Sequence, residues 1–391
     1  MSYPIPQRSK VPFFPVLGFL ALALASSQEA LASHIDVCRS GCPFSSIQEA
    51  INSAQPGETI RISPGFYKEN IVITDKSLTL KGEDSSKTVI NGSDYKTVVT
   101  LECTSDQVAI RISGVSITGG VGMRYPTPGN EGGGMIVRQC KLSLDDSEIY
   151  GNHASGSGGG IGASGDVSIK NSSIFNNQAG SGAGIQTNRK MLIVNSTISN
   201  NTTTGPLSED GGAGIHNRGD LIVKNSTISN NVTSDRFIGG GIHNRGSLTL
   251  IESTLANNGG GAIGNQGDAV IIGSLFTGNT SVRGGVQSLA GTLSITDSLV
   301  LNNSGGEAGG ILNREGTVIL KNTTVANNTS SRSGGGITNY SALFLKDSLI
   351  TGNTAYEQGG GLYNAGSVHS INTTITGNTP DNCSGVPFAC P

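Results

Sequence analysis

The sequence predicts an all-β fold, a solenoid of the parallel β-helix type with about 25 residues in each coil. A short motif occurs ten times between Met135 and Leu362, opening with glycines and an aliphatic residue and closing with an asparagine 16 or 17 positions later. Apolar residues inside a copy are spaced two apart and are mostly β-branched, which predicts strands and excludes helical repeats. All length variation falls between the asparagine and the next opening residue, a distance of 5 to 14 residues. A rigid span with one elastic corner is typical of stacked coils.

Every copy contains the same two landmarks. The opening residues are Met135, Ile161, Ile185, Ile215, Ile242, Ile263, Val286, Ile311, Ile337 and Leu362. The closing residues are Asn152, Asn177, Asn201, Asn231, Asn258, Asn279, Asn303, Asn328, Asn353 and Asn378.

The copy at residues 241–255 shows how a coil is built. Its expected inward residues are Ile242, Leu248, Leu250 and Leu255, because alternate residues of a strand point to opposite faces. Coils stacked about 4.8 Å apart place each of them on its equivalent in the next coil. We expect the closing asparagines to form a column whose side-chain amides donate and accept hydrogen bonds along the stack.

The first 32 residues are typical of an export signal that is removed from the mature chain. Arg8 and Lys10 precede an apolar run from Val11 to Ala25, and Ala30-Leu31-Ala32 resembles a cleavage site. The apolar run is short for a membrane span, although an uncleaved anchor is the alternative. We therefore expect a secreted or cell-surface protein without a transmembrane span in the mature chain.

Residues 33–82 are expected to form an N-terminal cap and the first strands. Ser45 or Ser46 begins a predicted helix through 47–54, and its apolar face is expected to cover the open end of the first coil. Strands are predicted at 59–62, 71–73 and 78–80. The β-helix body is expected at 83–378 and a short tail closed by cysteines at 379–391.

Six cysteines follow the export signal, and an even number in an exported chain favours disulfides. They allow 15 pairings. We expect the local pairs Cys38–Cys42 and Cys383–Cys390, which leaves Cys103 with Cys140. Zinc is the competing interpretation, but no His/Cys cluster has the spacing of a zinc finger.

The charge of the chain excludes a nucleic-acid-binding surface. The net charge is −3 and 14% of residues are charged, so no basic footprint is available. Ser, Thr, Asn and Gly dominate the surface positions, which suits a neutral or mildly acidic glycan. Asn-x-Ser/Thr triplets such as Asn195-Ser196-Thr197 recur in register, so we interpret them first as ladder residues and second as glycan acceptors.

A basic group is the most suggestive candidate site. His216-Asn217-Arg218 and His243-Asn244-Arg245 occupy the same place on consecutive coils. The predicted ligand-binding residues are His216, Arg218, His243, Arg245, Arg189 and Tyr125. Stacked arginines favour bidentate capture of a carboxylate on an acidic sugar or peptide. Alternatively, Asn-Arg-Gly is a turn copied by repeat duplication, with its arginines in solvent.

Tyr125 belongs to a different part of the elastic corner. It lies in the loop 123–131, which is expected to protrude from the corner. Few aromatic residues are available in this chain, and a tyrosine can stack on a sugar ring.

Two segments resemble the opening of right-handed parallel β-helix proteins of the pectin-lyase-like superfamily. They are Phe-Ser-Ser-Ile-Gln-Glu-Ala-Ile-Asn-Ser-Ala-Gln-Pro-Gly-Glu-Thr-Ile at 44–60 and Ser-Pro-Gly-Phe-Tyr-Lys-Glu-Asn-Ile at 63–71. The repeat body is similar to exported bacterial β-helix proteins and to repeats of polymorphic outer-membrane adhesins; Phe276-Thr277-Gly278-Asn279 matches a unit of the latter. The resemblance covers 44–378 and implies the fold, while the superfamily includes both enzymes and non-enzymes.

The catalytic motifs of three enzyme groups in that superfamily do not transfer to this chain. The Gly-His-Gly of polygalacturonase-like members and the Asp-Pro-His of epimerase-like members are absent. The Gly65-to-Glu69 segment resembles pectinesterase-like members, but their catalytic Asp motifs have no counterpart.

A pectate-lyase-like mechanism needs acidic residues around Ca²⁺ and an arginine base. Asp166, Asp220 and Asp268 fall on alternate coils, ~10 Å apart, too far to share one ion directly.

These observations predict a β-helix that presents an extended surface to a polysaccharide or another cell-surface ligand, with no cofactor. The alternative is a lyase-like enzyme that cleaves an acidic polysaccharide by β-elimination, for which Ca²⁺ is a possible cofactor. A flat-face or purely structural role is a minor alternative, because the outward positions mix Ser, Thr, Lys and Asn.

Overall fold

The computed structural model describes residues 34–92, 96–122, 132–204, 211–234 and 237–385. The expected export signal, the Tyr125 loop and Cys390 lie outside these ranges. Within the described residues, no helix is long and apolar enough to cross a membrane. These described residues form one α-helix, three long parallel sheets and two short ones.

Each coil contributes one strand to each of three sheets, as the residue spacing predicts. The opening sheet has 13 strands: Ile71–Thr74, Val99–Glu102, Met135–Arg138, Ile161–Ala163, Ile185–Thr187, Ile215–Asn217, Ile242–Asn244, Ile263–Asn265, Val286–Ser288, Ile311–Asn313, Ile337–Asn339, Leu362–Asn364 and Cys383–Gly385.

The long sheet follows in each coil and has 14 strands, most of five residues. They are His34–Val37, Thr59–Ile62, Leu78–Gly82, Ala109–Ser113, Lys141–Asp145, Asp166–Lys170, Met191–Val194, Asp220–Lys224, Ser247–Ile251, Asp268–Ile272, Thr292–Thr296, Thr317–Lys321, Ala342–Lys346 and Ser367–Ile371.

The closing sheet precedes the closing asparagines and has 13 strands. They are Gly65–Lys68, Thr88–Asn91, Ser116–Thr118, Glu148–Tyr150, Ser173–Phe175, Thr197–Ser199, Thr227–Ser229, Thr254–Ala256, Leu275–Thr277, Leu299–Leu301, Thr324–Ala326, Leu349–Thr351 and Thr374–Thr376.

The elastic corner between the closing and opening sheets carries two further four-stranded sheets that the sequence pattern did not predict. Their strands are Val121–Gly122, His153–Ala154, Gln178–Ala179 and Thr202–Thr203, then Thr280–Ser281, Ser304–Gly305, Thr329–Ser330 and Thr354–Ala355.

The predicted register is confirmed. Ile215, Ile242 and Ile263 are direct partners in neighbouring parallel strands. The four expected inward residues of the coil at 241–255 are at most 1% exposed and belong to one continuous core. Burial of about 2 kcal/mol for each such side chain stabilises a glycine-rich coil that could not fold alone.

The closing asparagines form the expected ladder, and Asn258 shows how complete it is. Its Nδ2 donates to Asn279 Oδ1 at 3.0 Å and to the Ile228 carbonyl at 3.0 Å. Its Oδ1 accepts from both the backbone N and the Nδ2 of Asn231, at 3.0 and 3.1 Å. A buried amide with its hydrogen bonds satisfied in this way holds the coils in register.

A second asparagine ladder, which the sequence analysis missed, lies at the end of the opening sheet. The Nδ2 of Asn217 donates to Asn244 Oδ1, and the Nδ2 of Asn244 donates to Asn265 Oδ1, each at 2.7 Å. All three side chains are fully buried. This ladder provides a rigid base for the turn that follows it.

The helix Ile47–Ser53 lies at the position that the sequence predicts. Ser46 is its N-cap, and the carboxylate of Glu69 accepts hydrogen bonds from the backbone N–H groups of Ile47 and Gln48 at 3.0 Å. At the other end, Lys76 Nζ donates to the Ile51 carbonyl at 2.9 Å. Charged side chains of the first coils thus satisfy both ends of the helix.

The predicted strands at 59–62, 71–73 and 78–80 are confirmed, while His34–Val37 and Gly65–Lys68 were not predicted. His34–Val37 pairs in parallel with Thr59–Ile62 and so extends the long sheet by one strand.

Two of the expected disulfides are confirmed. Cys38 bonds to Cys42, and Cys103 bonds to Cys140. Cys383 is also disulfide-bonded, and its expected partner Cys390 lies outside the described residues.

Candidate functional site

The turn from the opening sheet to the long sheet places one side chain from each coil on a single edge. Its backbone N–H donates to a carbonyl of the preceding coil: Arg218 to Thr187, Arg245 to Asn217, Arg314 to Ser288 and Tyr340 to Asn313, each at 2.8 Å. We call this column the turn edge; its members are Ser164, Asn188, Arg218, Arg245, Gln266, Leu289, Arg314, Tyr340 and Ala365.

Arg218 and Arg245 occupy the turn edge on consecutive coils, as the sequence predicts. Arg218 is exposed, and Arg245 is half-buried with its Nε donating to Gln266 Oε1 at 2.8 Å. The strand spacing holds the two backbones about 4.8 Å apart. Guanidinium groups on neighbouring strands can both donate hydrogen bonds to one carboxylate.

Arg189 stands one residue further along its turn than the two stacked arginines. Its carbonyl accepts from the backbone N of Asp220, and its Nε lies 3.9 Å from Asp166 Oδ1. Arg189 therefore directs its charge toward the start of the long sheet and not along the turn edge.

His216 and His243 lie beneath the surface. They are partners in neighbouring strands, and their rings stack with centroids 5.0 Å apart at 14°. Both residues are 0% exposed, because the elastic corner folds over the outward side of the opening sheet. The predicted register of the two histidines is confirmed, but neither is exposed as a surface site requires.

The buried environment keeps His216 neutral. Burial is the main reason that its pKa falls from 6.5 to about 2. Repulsion from His243, Arg218 and Arg245 acts in the same direction. Among the described residues, neither ring nitrogen of His216 has a hydrogen-bond partner. A neutral imidazole without access to solvent cannot exchange protons with a bound polymer unless the corner moves.

Described residues of the corner contact several members of the column that contains these histidines. The column comprises Gln186, His216, His243, Gly264, Gln287, Leu312 and Thr338. Gly264 is required here because a Cβ on it would lie 2.6 Å from Cγ2 of the corner residue Ile238. Further along, Gln287 Nε2 donates to the Gly260 carbonyl at 3.1 Å.

Further along the turn edge, the recurrence of Arg314 is evident from the sequence, but the aromatic and charged group around it was not predicted. The Nη2 of Arg314 donates to both carboxylate oxygens of Glu307, at 3.0 and 3.1 Å. On the next coil, Tyr340 is 45% exposed, and its ring centroid lies 6.2 Å from that of Tyr363. Partial burial and the nearby Glu307 raise the pKa of Tyr340, so its hydroxyl stays a hydrogen-bond donor.

Two open depressions mark the outer surface. One of about 550 Å³ lies over the long sheet and is lined by Lys141, Asp166, Ser168, Lys190, Leu192, Asp220 and Ile222, among others. Another of about 520 Å³ lies over the second corner sheet and is lined by Thr280, Ser281, Val282, Ser304, Thr329 and Ser331, among others.

The aspartates at the start of the long-sheet strands do not lie on adjacent coils. Lys190 lies between Asp166 and Asp220 in the stack, and Ser247 lies between Asp220 and Asp268. Within the described part of the chain, no group of three or more His, Cys, Asp or Glu side chains is placed to hold a metal ion.

Comparisons with known proteins return distant likenesses. No protein-family model matches the chain, and no curated protein matches it. A mannuronan C-5 epimerase A-module of Azotobacter vinelandii is 15% identical over 84% of this chain and 93% of that chain, with a TM-score of 0.40. An alginate lyase of a Paenibacillus species is 12% identical over 83% and 95%, with a TM-score of 0.33.

A pectin methylesterase of Erwinia chrysanthemi is 14% identical over 64% of this chain and 79% of that chain, with a TM-score of 0.33. These likenesses are too distant to assign an activity to this chain.

Proposed function

We propose that this chain is an exported β-helix protein that binds an extended acidic polysaccharide along its turn edge. The observation that carries the proposal is the column itself: Arg218 and Arg245 stand in register on consecutive coils, and Arg314 and Tyr340 continue the same column. Five coil steps separate Arg218 from Tyr340, roughly 24 Å at the strand spacing. A surface of this length suits a polymer better than a small molecule.

Each end of the column supplies a different part of carbohydrate recognition. Arg218 and Arg245 offer planar donors that match a uronate carboxylate. Tyr340, with Tyr363 beside it, offers an aromatic face for a sugar ring, and the nearby Arg314–Glu307 pair offers donors and acceptors for its hydroxyls. The ladder of Asn217, Asn244 and Asn265 under the first group keeps it rigid, which lowers the entropy lost on binding.

Calorimetry with polygalacturonate, alginate and a neutral glucan tests this proposal. We expect binding to the two acidic polymers that weakens as salt is added, because the arginine contribution is electrostatic. The double variant Arg218→Ala/Arg245→Ala should lose at least about tenfold in affinity, equivalent to about 1.4 kcal/mol.

The matched control is Lys321→Ala/Lys346→Ala. These lysines are exposed and in register on consecutive coils, but they end strands of the long sheet. The control also removes two positive charges from consecutive coils, but away from the turn edge. It should bind the polymers like the parent protein. An equal loss in both double variants, or no binding to either acidic polymer, would refute the turn edge as the site.

The same incubations test the alternative of a lyase. Unsaturated uronides released from an acidic polymer with Ca²⁺ present, and lost in Arg218→Ala/Arg245→Ala, would establish β-elimination in place of simple binding.

We also propose that the helix Ile47–Ser53 caps the first coil of the exported protein. Ile47, Ala50 and Ile51 are buried and belong to the same core as the inward residues of the coils. Replacing Ile51 with Asp should expose that end of the core and promote aggregation, whereas the same change at the exposed Asn52 should not.

A further inference from the structure

The outer face of the long sheet carries charges that alternate in sign along the stack. Lys141, Asp166, Lys190 and Asp220 stand at the start of four consecutive strands. Lys141, Lys190 and Asp220 are exposed, and Asp166 is half-buried. In the described part of the chain, no side chain forms an ion pair with Lys141 or Lys190. The two lysines are therefore available to a partner, whereas Asp166 already lies 3.9 Å from Arg189 Nε of the same chain.

An apolar depression lies directly beside these charges. Leu192 and Ile222 point outward from the middle of the third and fourth strands, and Ile222 is 38% exposed. Ser143 and Ser168 occupy the same position on the first two strands. The four strands thus present apolar surface on one half and small residues on the other.

We propose that a second copy of this chain packs on this face, related by a two-fold axis that runs along the strands midway between Asp166 and Lys190. Such an axis reverses the order of the coils but leaves the position along each strand unchanged. Asp166 then faces Lys190 of the second copy, and Lys141 faces Asp220 of the second copy. Symmetry forms each of these pairs twice.

The opposite ends of the two outer strands are also complementary about this axis, whereas the two middle strands end at Lys170 and Val194. The first of the four strands ends at Asp145 and the last ends at the exposed Lys224. The axis that pairs the starting charges also places Asp145 opposite Lys224 of the second copy. In the middle, Leu192 meets Ser168 and Ile222 meets Ser143, so a large side chain always faces a small one.

The charges also select the register. Moving the axis by half a strand spacing places Asp166 or Lys190 opposite itself, which is unfavourable. Moving it by a full spacing leaves only one kind of complementary charge pair among these four residues, instead of two. Exposed ion pairs contribute little net energy, so burial of Leu192 and Ile222 supplies the affinity and the charges supply the alignment. Because the axis runs along the strands, both turn edges lie on the same side of the pair.

Sedimentation of the mature protein over a range of concentrations measures its association. Variants that reverse the charge at Asp166 or Lys190, or exchange the two charges, test the proposal. The parent protein should associate to a dimer. Lys190→Asp and Asp166→Lys each create two like-charge pairs across the axis, so each should raise the dimer dissociation constant by about tenfold or more. The double variant Asp166→Lys/Lys190→Asp exchanges the charges and should dimerise again.

Asp268→Lys provides the matched control, because it lies in the same column but outside the four strands. It should dimerise like the parent protein, and all variants should keep the far-ultraviolet spectrum of the parent. A parent protein that stays monomeric, or a double variant as impaired as the single variants, would overturn the proposal. Polysaccharide binding by a monomeric variant would show that binding at the turn edge does not depend on dimerisation.

Discussion

The opening sheet and the long sheet have the same alternation of side chains, yet their outward residues lie in opposite environments. On the opening sheet, the outward column from Gln186 to Thr338 is covered by the elastic corner, and His216 and His243 are 0% exposed. On the long sheet, outward residues such as Ile222, Val270 and Phe344 are 38 to 46% exposed. Alternation therefore predicts which side of a strand faces the core. It does not predict whether the opposite side is exposed to solvent or covered by another segment.

The largest difference is expected when a lysine is introduced at an outward position of one coil, either on the opening sheet or on the long sheet. His243→Lys inserts an ammonium under the corner, beside Arg218 and Arg245, and should lower the free energy of unfolding by roughly 3 kcal/mol or more. Thr249→Lys on the long sheet of the same coil should change it by less than about 0.5 kcal/mol. Urea unfolding followed by circular dichroism compares them, and equal midpoints would show that the corner does not seal the histidine column.

A smaller difference is expected when an isoleucine is replaced by alanine, either in the corner or on the open face of the long sheet. Ile238 belongs to the corner and is 4% exposed, whereas Ile222 lies on the open face and is 38% exposed. Ile238→Ala should cost roughly 2–4 kcal/mol through lost burial and a cavity against Gly264. Ile222→Ala should cost less than about 1 kcal/mol in a monomeric sample. A thermal melt in which Ile222→Ala is the less stable variant would contradict the assigned exposure.

The smallest contrast is a pH dependence that originates in the covered column. The pKa of His216 is depressed from 6.5 to about 2, so between these values the unfolded chain binds a proton that the folded chain does not. Stability is therefore complete above pH 6.5 and falls by about 1.4 kcal/mol for each pH unit below it.

His216→Gln isolates this contribution, because glutamine already occupies the same column at Gln186 and Gln287. The loss of stability between pH 7 and pH 5 should be smaller in the variant than in the parent protein. Parallel stability curves for the two proteins would mean that His216 becomes protonated without unfolding.

The sequence predicts the register of the residues in the candidate site but not their exposure. The equivalence of Arg218 and Arg245, and of His216 and His243, follows from counting residues from the opening isoleucine, and the structure confirms it. The burial of the histidines could not be predicted, because it depends on how glycine-rich corner segments of unequal length fold back. The contact between Tyr340 and Tyr363 was missed for a related reason, since the two residues occupy different positions in adjacent coils.

The sequence by itself determined the coil, its three strands, the inward residues, the asparagine ladder and the register, because each of these follows from a repeating pattern of hydrophobicity and turn residues. The tertiary structure decided which outward columns are covered, that Arg189 turns toward Asp166, and which charges face outward from the long sheet. A periodic pattern specifies the relation of each coil to the next, whereas the corner has no constant length and adopts its conformation only through contacts with the finished stack.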